Sequence, residues 1–88
     1  MSIRATLHPF LNNGIELQLD VEGKTVGECI KTIIRQYPGM ETKLFGKNGA
    51  LKGYVVVLVN GQDAAPNELA YQVKDGDILS VLIMLSGG

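Results

Sequence analysis

Tryptophan is absent from this 88-residue sequence, and cysteine and histidine each occur once. With Cys29 alone, the chain can form neither an intrachain disulfide nor a zinc site built from several thiolates. With His8 alone, it supports neither a histidine-based metal site nor a triad that would use Cys29 as its nucleophile. We therefore expect His8 to lie on an exposed strand edge and Cys29 to be an inert thiol in the core.

Long apolar stretches and an excess of one charge are missing as well. Eight basic and nine acidic residues give a formal net charge of -1, whereas a nucleic-acid-binding domain usually carries a clustered basic surface. No apolar stretch approaches the roughly 18 residues that would suggest a membrane-spanning helix, and no apolar leader follows the first residues. The pair Gly46-x-x-Gly49 lacks the Gly-Lys-Ser/Thr of a phosphate-binding loop. The sequence thus predicts a cytoplasmic protein that binds neither nucleic acid nor membrane.

Two alternating segments near the start of the chain predict a β-hairpin. Residues 3–8 and 15–22 each place apolar and polar side chains in turn, which is typical of half-buried strands. Pro9 ends the first strand because it has no N–H group for the ladder. Asn12-Asn13-Gly14 then supplies residues that tolerate the positive φ angles of a tight turn.

A single convincing helix is predicted after the hairpin. Thr25 and Glu28 match a capping box, in which the two side chains satisfy free backbone N–H groups at the start of a helix. Pro38 disfavours helical geometry at Tyr37 and ends the helix after about 12 residues. The apolar positions form one stripe, comprising Val26, Cys29, Ile30, Ile33, Ile34 and Tyr37. Its isoleucines are expected to pack against the final strand and against apolar residues of the other strands, namely Leu17, Leu19 and Val57.

The second half of the chain predicts further strands. Residues 54–59 are apolar on both faces and rich in β-branched side chains, as in a central strand. Asn60-Gly61 is a turn signal, and residues 62–69 are expected to be irregular or to hold one short edge strand. The last strand spans 78–85. Because the helix must bury its apolar stripe against the strands, this order predicts a two-layer α+β fold.

Residues 39–53 have the weakest pattern. Their apolar side chains are expected to form a short turn under the sheet, built from Met40, Leu44 and Phe45. Three lysines make the segment mildly basic, namely Lys43, Lys47 and Lys52. We interpret these lysines as ordinary solvated surface, with a docking patch for an acidic partner as the alternative.

The C-terminal run combines a tight turn, an apolar strand and a glycine pair. Asp75-Gly76-Asp77 precedes the strand, and the sequence ends on Ser86-Gly87-Gly88. We predict one domain over residues 1–85 and a flexible tail over residues 86–88. Alternation places Leu82 and Met84 on the outward face of the strand, so we expect both to be exposed and to form, with Ser86, a partner-binding surface.

Four strings resemble the ubiquitin-like sulfur carriers, a family that includes the molybdopterin synthase small subunit and the carriers of thiamine and cysteine biosynthesis. The strings follow the family's order over most of the chain and are Thr25-Val26-Gly27-Glu28, Val57-Leu58-Val59-Asn60-Gly61, Asp75-Gly76-Asp77-Ile78 and Ser86-Gly87-Gly88. The resemblance implies a β-grasp fold, with a mixed sheet of four or five strands and one main helix packed across it.

The resemblance also implies a role for Gly88. In the family, an ATP-dependent adenylyltransferase of the ubiquitin-activating type activates the terminal glycine, a sulfurtransferase or other donor supplies sulfur, and an acceptor enzyme receives it. The acceptors are the molybdopterin synthase large subunit, thiazole synthase or a cysteine synthase. The protein would then be a co-substrate that binds no cofactor and no metal, while ATP and Mg²⁺ would belong to the activating partner.

The residues of the tail fit this chemistry. A C-terminal carboxyl group has a pKa of about 3.3–3.7, so Gly88 would be a carboxylate at neutral pH and needs activation before a sulfur nucleophile can attack it. Without Cβ atoms, Gly87 and Gly88 can pass a narrow channel and adopt φ values closed to other residues. Two alternatives stay open. One is a modifier joined to lysine through the same glycine, and the other is a β-grasp interaction domain that is not activated.

Overall fold

The structure is a computed structural model, and it describes residues 3–11, 14, 16–47, 49–65 and 68–83, with the backbone alone at Phe10 and Glu68. These residues form two layers, a β-sheet and a helix laid across one of its faces. The predicted boundary between residues 85 and 86 lies outside the described residues.

Five strands form one mixed sheet. They are β1 (Ile3–Leu7), β2 (Leu17–Val21), β3 (Val55–Val59), β4 (Gln62–Asp63) and β5 (Ile78–Ile83). Their order across the sheet is β2-β1-β5-β3-β4. The two central strands, β1 and β5, are parallel, and every other neighbouring pair is antiparallel. Consequently β1 and β5 end, and β3 begins, at the same end of the sheet, which we call the exit end because β5 leads from it into the C-terminal residues.

The predicted hairpin is present, with a longer connection than the pattern suggested. β1 stops at Leu7, and Pro9 opens a short 3-10 helix (Pro9–Leu11). The N–H of Gly14, which has a φ of 87°, donates to the Pro9 carbonyl at 2.8 Å. β2 starts only at Leu17. Asn12, Asn13 and Ile15 of the predicted turn and strand lie outside the described residues.

Helix α1 (Val26–Gln36) begins at the predicted cap. The Thr25 hydroxyl oxygen accepts from the Glu28 N–H at 3.2 Å. The Glu28 carboxylate reaches back to the N–H of Lys24 at 3.0 Å, one residue before the N-cap. Along the predicted stripe, Val26, Cys29, Ile30 and Ile33 are buried. Ile34 is half-buried against the core, whereas Tyr37, the last residue predicted for the stripe, is exposed.

A second, five-residue helix, α2 (Met40–Leu44), occupies the segment with the weakest sequence pattern. Met40 and Leu44 are buried and Phe45 is half-buried against the core, so the predicted burial of this segment is confirmed, whereas the predicted turn is a short helix. The Lys43 ammonium group donates to the Leu11 carbonyl at 2.9 Å and ties α2 to the end of the 3-10 helix after β1.

The core lies between α1, α2 and one face of the sheet. It joins Ile30 and Ile33 of α1 to Val57, Leu79 and Val81 of the sheet, with Leu17 and Leu19 half-buried at its border. The predicted α+β class and the packing of the helix are therefore confirmed, and the five-stranded mixed sheet with one main helix across it is a β-grasp fold. Within the described part of the chain, no helix is both long and apolar enough to cross a membrane.

Candidate functional site

The predicted reactive residues lie just beyond the described part of β5. Met84, Ser86, Gly87 and Gly88 are outside the described residues, so the structure defines the platform that precedes them. That platform is the exit end of the sheet, where β5 reaches Ile83.

The two faces of β5 are sorted as the alternation predicts. Leu79 and Val81 are fully buried against the core, while Ser80 and Leu82 alternate with them on the opposite face. Leu82 is half-buried, however, and the expectation that it is fully exposed was wrong. Ile78, on the same face at the other end of the strand, is 51% exposed.

The partial burial of Leu82 has its cause in the neighbouring strand. Val56 of β3 stands directly opposite Leu82 in the register, and Leu58 stands opposite Ser80. Directly opposed side chains on one face of an antiparallel pair lie close enough to cover one another. We call the outward side of the sheet around these residues the open face, comprising Thr6, Val56, Leu58, Ser80 and Leu82, all half-buried.

Sequence reasoning missed two members of the open face, Val56 and Leu58. Their signal was present, because residues 54–59 are apolar at every position and β3 has only one face in the core. In a sheet covered by a helix on one side only, such a strand must leave apolar side chains on the uncovered side. The open face is therefore broader than the Leu82 and Met84 pair expected from β5 alone.

An aromatic residue and a lysine stand beside the point where β5 leaves the sheet. Val55 faces Ile83 in the register, and Tyr54, the residue before it, has 44% of its surface exposed. The Lys52 ammonium group lies 5.9 Å from the centroid of the Tyr54 ring, within the range of a cation–π contact. Tyr54 and the Lys52 ammonium group thus place an aromatic surface and a positive charge at the exit end of the sheet.

At the opposite end of the sheet, two of the strings that suggested the family meet. The Asp77 carboxylate accepts from the Asn60 side-chain amide at 3.0 Å and from the Lys74 N–H at 2.9 Å. The Asn60 amide oxygen accepts from the Ile78 N–H at 2.9 Å. Asn60 itself has a φ of 53°, as a tight turn before Gly61 requires. These bonds connect the β3–β4 turn to the start of β5, so the two strings serve the fold.

The same hydrogen bonds act on the ionisation of Asp77. The bond from the Asn60 side chain, followed by that from the Lys74 backbone, holds the pKa of the Asp77 carboxyl below its ordinary value, since both donors favour the charged form. Asp77 is buried, and its described hydrogen-bond partners, Asn60 and Lys74, belong to a structural network.

The remaining chemically distinctive side chains form no second site. Burial, and secondarily the charge of Glu28, raises the pKa of the Cys29 thiol to about 11. The predicted core position of Cys29 is confirmed. His8 was expected on an exposed strand edge, and that expectation was wrong. It is half-buried directly after the central strand β1, where its N–H donates to the Val81 carbonyl at 2.9 Å. Among the described residues, no group of three or more histidine, cysteine or acidic side chains could hold a metal ion.

Comparison with known proteins extends the similarity to the whole chain. The model of the ThiS family matches residues 3–88. Small archaeal modifier protein 1 of Haloferax volcanii is 34% identical over 73 residues, which cover 82% of this chain and 80% of that protein. The "Putative sulfur carrier protein" of Archaeoglobus fulgidus is 30% identical over an alignment that covers both chains completely.

Solved structures agree with the fold. The crystal structure of the Haloferax volcanii protein superposes with a TM-score of 0.78 and 29% identity, and covers 100% of each chain. A chain of the BexX/CysO complex of Amycolatopsis orientalis superposes with a TM-score of 0.76 and 27% identity, over 96% of this chain and 99% of that one.

Proposed function

We propose, from the premise that this chain belongs to the ThiS family of small ubiquitin-like carriers and modifiers, that it is a sulfur carrier whose Gly88 is adenylated and then becomes a thiocarboxylate. The observation that carries the proposal is that the family match continues through the glycine pair to residue 88. The role of Gly88 is part of the proposal, since the structure describes the chain only as far as Ile83 at this end.

The proposed chemistry has two steps on the same carboxyl group. First, the Gly88 carboxylate attacks the α-phosphorus of ATP, and pyrophosphate leaves, which gives an acyl-adenylate. Second, a sulfur nucleophile from a donor attacks the acyl carbon, so that a C–S bond forms and AMP leaves with the oxygen it was bound to. When that nucleophile is the outer sulfur of a donor persulfide, the product is an acyl disulfide. A second thiol of the donor then attacks the donor-side sulfur of this S–S bond, so that a disulfide forms on the donor and the thiocarboxylate leaves. The sulfur of the thiocarboxylate is passed to the acceptor.

The geometry of the described residues supports a carrier, because it presents a strand end without building a reaction centre around it. β5 is paired with β1 up to Val81 and with β3 up to Ile83, so the following residues start from an ordered strand. The open face beside Leu82 offers apolar contact area for a partner that receives the tail. Groups for acid–base chemistry, ATP and Mg²⁺ would accordingly come from the partners.

Three kinds of partner are proposed. The first is an adenylyltransferase of the ubiquitin-activating type, and the second is a sulfurtransferase or other sulfur donor. The third is an acceptor enzyme, with the molybdopterin synthase large subunit, thiazole synthase and a cysteine synthase as candidates. The BexX/CysO complex, in which a similar chain is bound to another protein, supports a partner of the third kind.

The second candidate function is protein modification. It is favoured by the names of two relatives, small archaeal modifier protein 1 and ubiquitin-related modifier 1, the latter 32% identical over 72 residues. A modifier would use the same acyl-adenylate, but a lysine amine would replace sulfur as the final nucleophile and an isopeptide bond would result. An interaction domain that is never activated is the third possibility.

Deletion of Gly88 tests the activation step. We expect the shortened protein to show no ATP–pyrophosphate exchange with the adenylyltransferase of the same organism. Its thermal unfolding should match that of the parent, because a terminal glycine has no side chain whose packing could be lost. Exchange by the shortened protein at the parent's rate would contradict a role for the Gly88 carboxylate.

Intact-mass measurement of the protein isolated from its own cells separates the candidates. A carrier shows the mass of the chain ending at Gly88 with one oxygen replaced by sulfur. A modifier appears as isopeptide-linked peptides that carry its C-terminal residues on lysine. A protein that shows neither product, and that no adenylyltransferase activates, is an interaction domain.

A further inference from the structure

The exit end of the sheet carries lysines that the proposed chemistry does not use. Lys43, Lys47 and Lys52 lie between α1 and β3, in a segment with one acidic residue, Glu41. We infer that Lys47, Lys52 and the Tyr54 ring form a basic docking surface that binds carboxylates of the adenylating enzyme beside the tail. This inference rests on the proposed function, because it assigns the surface to the enzyme that activates Gly88.

Two contacts place Lys43 and Lys52 at the exit end, and Lys47 lies on the turn between them in the chain. The Lys43 ammonium group bonds the carbonyl of Leu11, which ends the 3-10 helix following β1. Val55 faces Ile83 in the register and comes two residues after Gly53, so the chain around Lys52 and Tyr54 runs directly into the exit end. Because β1 and β5 are parallel and β3 is antiparallel to β5, both contacts lie where β5 leaves the sheet.

Backbone bonds hold the segment in shape. Phe45 and Leu51 pair through an isolated β-bridge. The Gly46 N–H donates to the Ala50 carbonyl at 2.9 Å, and the Lys52 N–H donates to the Leu44 carbonyl at 2.8 Å. Lys47 is exposed on the turn that these bonds enclose. A charge on an ordered turn has less conformational freedom to lose on binding than a charge on an unstructured loop.

The three lysines differ in what they can offer a partner. The Lys43 ammonium group already bonds the Leu11 carbonyl and is half-buried. Lys52 is also half-buried, but its ammonium group lies 5.9 Å from the centroid of the exposed Tyr54 ring, which adds an aromatic surface next to the charge. We therefore take Lys47 and Lys52 as the cations of the proposed surface and the exposed Tyr54 ring as its apolar part.

Charge and position together determine the kind of occupant. An enzyme that activates Gly88 must hold the tail and approach the exit end at the same time, so its rim passes over Lys47 and Lys52. Carboxylates on that rim would complement the two lysines and speed association, an effect that salt weakens. A nucleic acid would require a wider basic surface than two lysines on a chain with a net charge of -1.

Charge reversal in the full-length protein tests the inference. We expect Lys47→Glu combined with Lys52→Glu to raise the KM for adenylation on the order of 10-fold at about 0.05 M salt, with kcat unchanged, because steering and docking are lost. The difference should largely vanish at about 0.5 M salt, where charges are screened within a few Å. The measurement is ATP–pyrophosphate exchange with the purified adenylyltransferase of the same organism.

Two controls isolate the position of the charge. Lys31→Glu combined with Lys24→Glu makes the same change of net charge on and just before α1, away from the exit end. Its KM for adenylation should stay within about two-fold of the parent's value, since steering depends on where the charge lies. Lys52→Arg keeps both the charge and the ring contact and should behave like the parent. Thermal unfolding of every variant establishes that it is folded.

The outcomes distinguish this inference from the proposed function. Suppose that the parent is adenylated and that the variant with Lys47 and Lys52 reversed has the parent's KM at every salt concentration. The inferred docking surface is then contradicted, while the proposed carrier function is not. An equal effect of the Lys24 and Lys31 reversal would also overturn the inference, because net charge alone would explain it. If a single-stranded oligonucleotide binds the parent and not the reversal, the surface belongs to nucleic acid. If the parent is not adenylated at all, the proposed function fails, and the inference fails with it.

Discussion

At the residue scale, the most informative side chain is that of Asp77, to which we assign a structural and not a reactive role. Asp77 is nearly buried, and its two carboxylate oxygens accept from Asn60 and Lys74. Asn60 in turn accepts from the Ile78 N–H, so one acid and one amide secure the turn before β5. Asn60 and Asp77 belong to two of the sequence strings that resemble the sulfur carriers. In the structure, they hold the start of β5, the strand that precedes the C-terminal residues.

The ionisation of Asp77 predicts loss of stability in acid. Because its folded pKa lies below the ordinary value, ionised Asp77 stabilises the fold above pH 4 or so, and this contribution is lost as the pH falls through the folded pKa. We expect Asp77→Asn to unfold at lower urea concentration than the parent at pH 7, since one side-chain oxygen becomes a donor facing the Lys74 or Asn60 donor. The difference between the urea concentrations at which the two proteins unfold should become smaller at about pH 3. An equal difference in unfolding at both pH values would show that the charge of Asp77 does not contribute to stability.

At the element scale, α1 shows how a local pattern and a tertiary contact combine. The cap at Thr25 and the stop at Pro38 are local, and the helix forms between them as predicted. A helix of 11 residues is marginal by itself in water, so its stability in the protein comes from the buried stripe. Gly27 lets this helix approach its neighbour, because a Cβ atom there would come within 3.1 Å of the Leu69 carbonyl oxygen.

Truncation of the stripe tests the packing of α1. Ile30 is fully buried, and we expect Ile30→Ala to lower the free energy of unfolding by roughly 2–5 kcal/mol, as large-to-small changes in cores do. Lys31→Ala, at the exposed neighbouring position, is the matched control and should change stability by less than about 0.5 kcal/mol. Urea unfolding followed by far-ultraviolet circular dichroism measures both. Equal effects at the two positions would place the helix in a different rotation about its axis.

At the scale of the whole molecule, the two faces of the sheet differ in what covers them. One face is covered by the helices and holds the core, while the open face remains without a covering element among the described residues. The open face reaches the exit end at Leu82, near Tyr54 and the Lys52 ammonium group beside its ring. A partner that receives the tail can therefore contact an apolar surface and a charged surface together.

Substitution on the open face tests its role in docking. We expect Leu82→Glu to weaken binding to the adenylyltransferase by about 10-fold or more, the scale of an interface residue that costs at least 1–2 kcal/mol when lost. Because Leu82 is half-buried against Val56, a stability loss of about 1 kcal/mol should accompany it. Isothermal titration calorimetry and thermal unfolding measure the two effects.

Ile78→Glu provides the matched control, on the same strand and the same face but at the end away from the exit. Ile78 is 51% exposed, so this change should leave both stability and binding close to the parent. If Leu82→Glu binds as tightly as Ile78→Glu, the open face near the exit end does not dock the enzyme.

Local patterns in the sequence by themselves determined most of the longer elements of this protein. Alternation and the capping and turn residues located β1, α1, β3 and β5 and separated the two faces of β5, because these signals depend on neighbours a few residues apart. The same signals could not resolve α2, whose five residues are too few to show a helical period and which is held by Lys43 and the core.

Tertiary structure alone decided which elements became neighbours. The parallel pairing of β1 with β5 joins residues more than seventy positions apart, and no local pattern specifies it. That pairing places His8 after a central strand, and the pairing with β3 half-buries Leu82 and brings Tyr54 and Lys52 to the exit end. The physical reason is that burial and charge depend on what lies across the sheet, whereas a sequence pattern records only what lies along the chain.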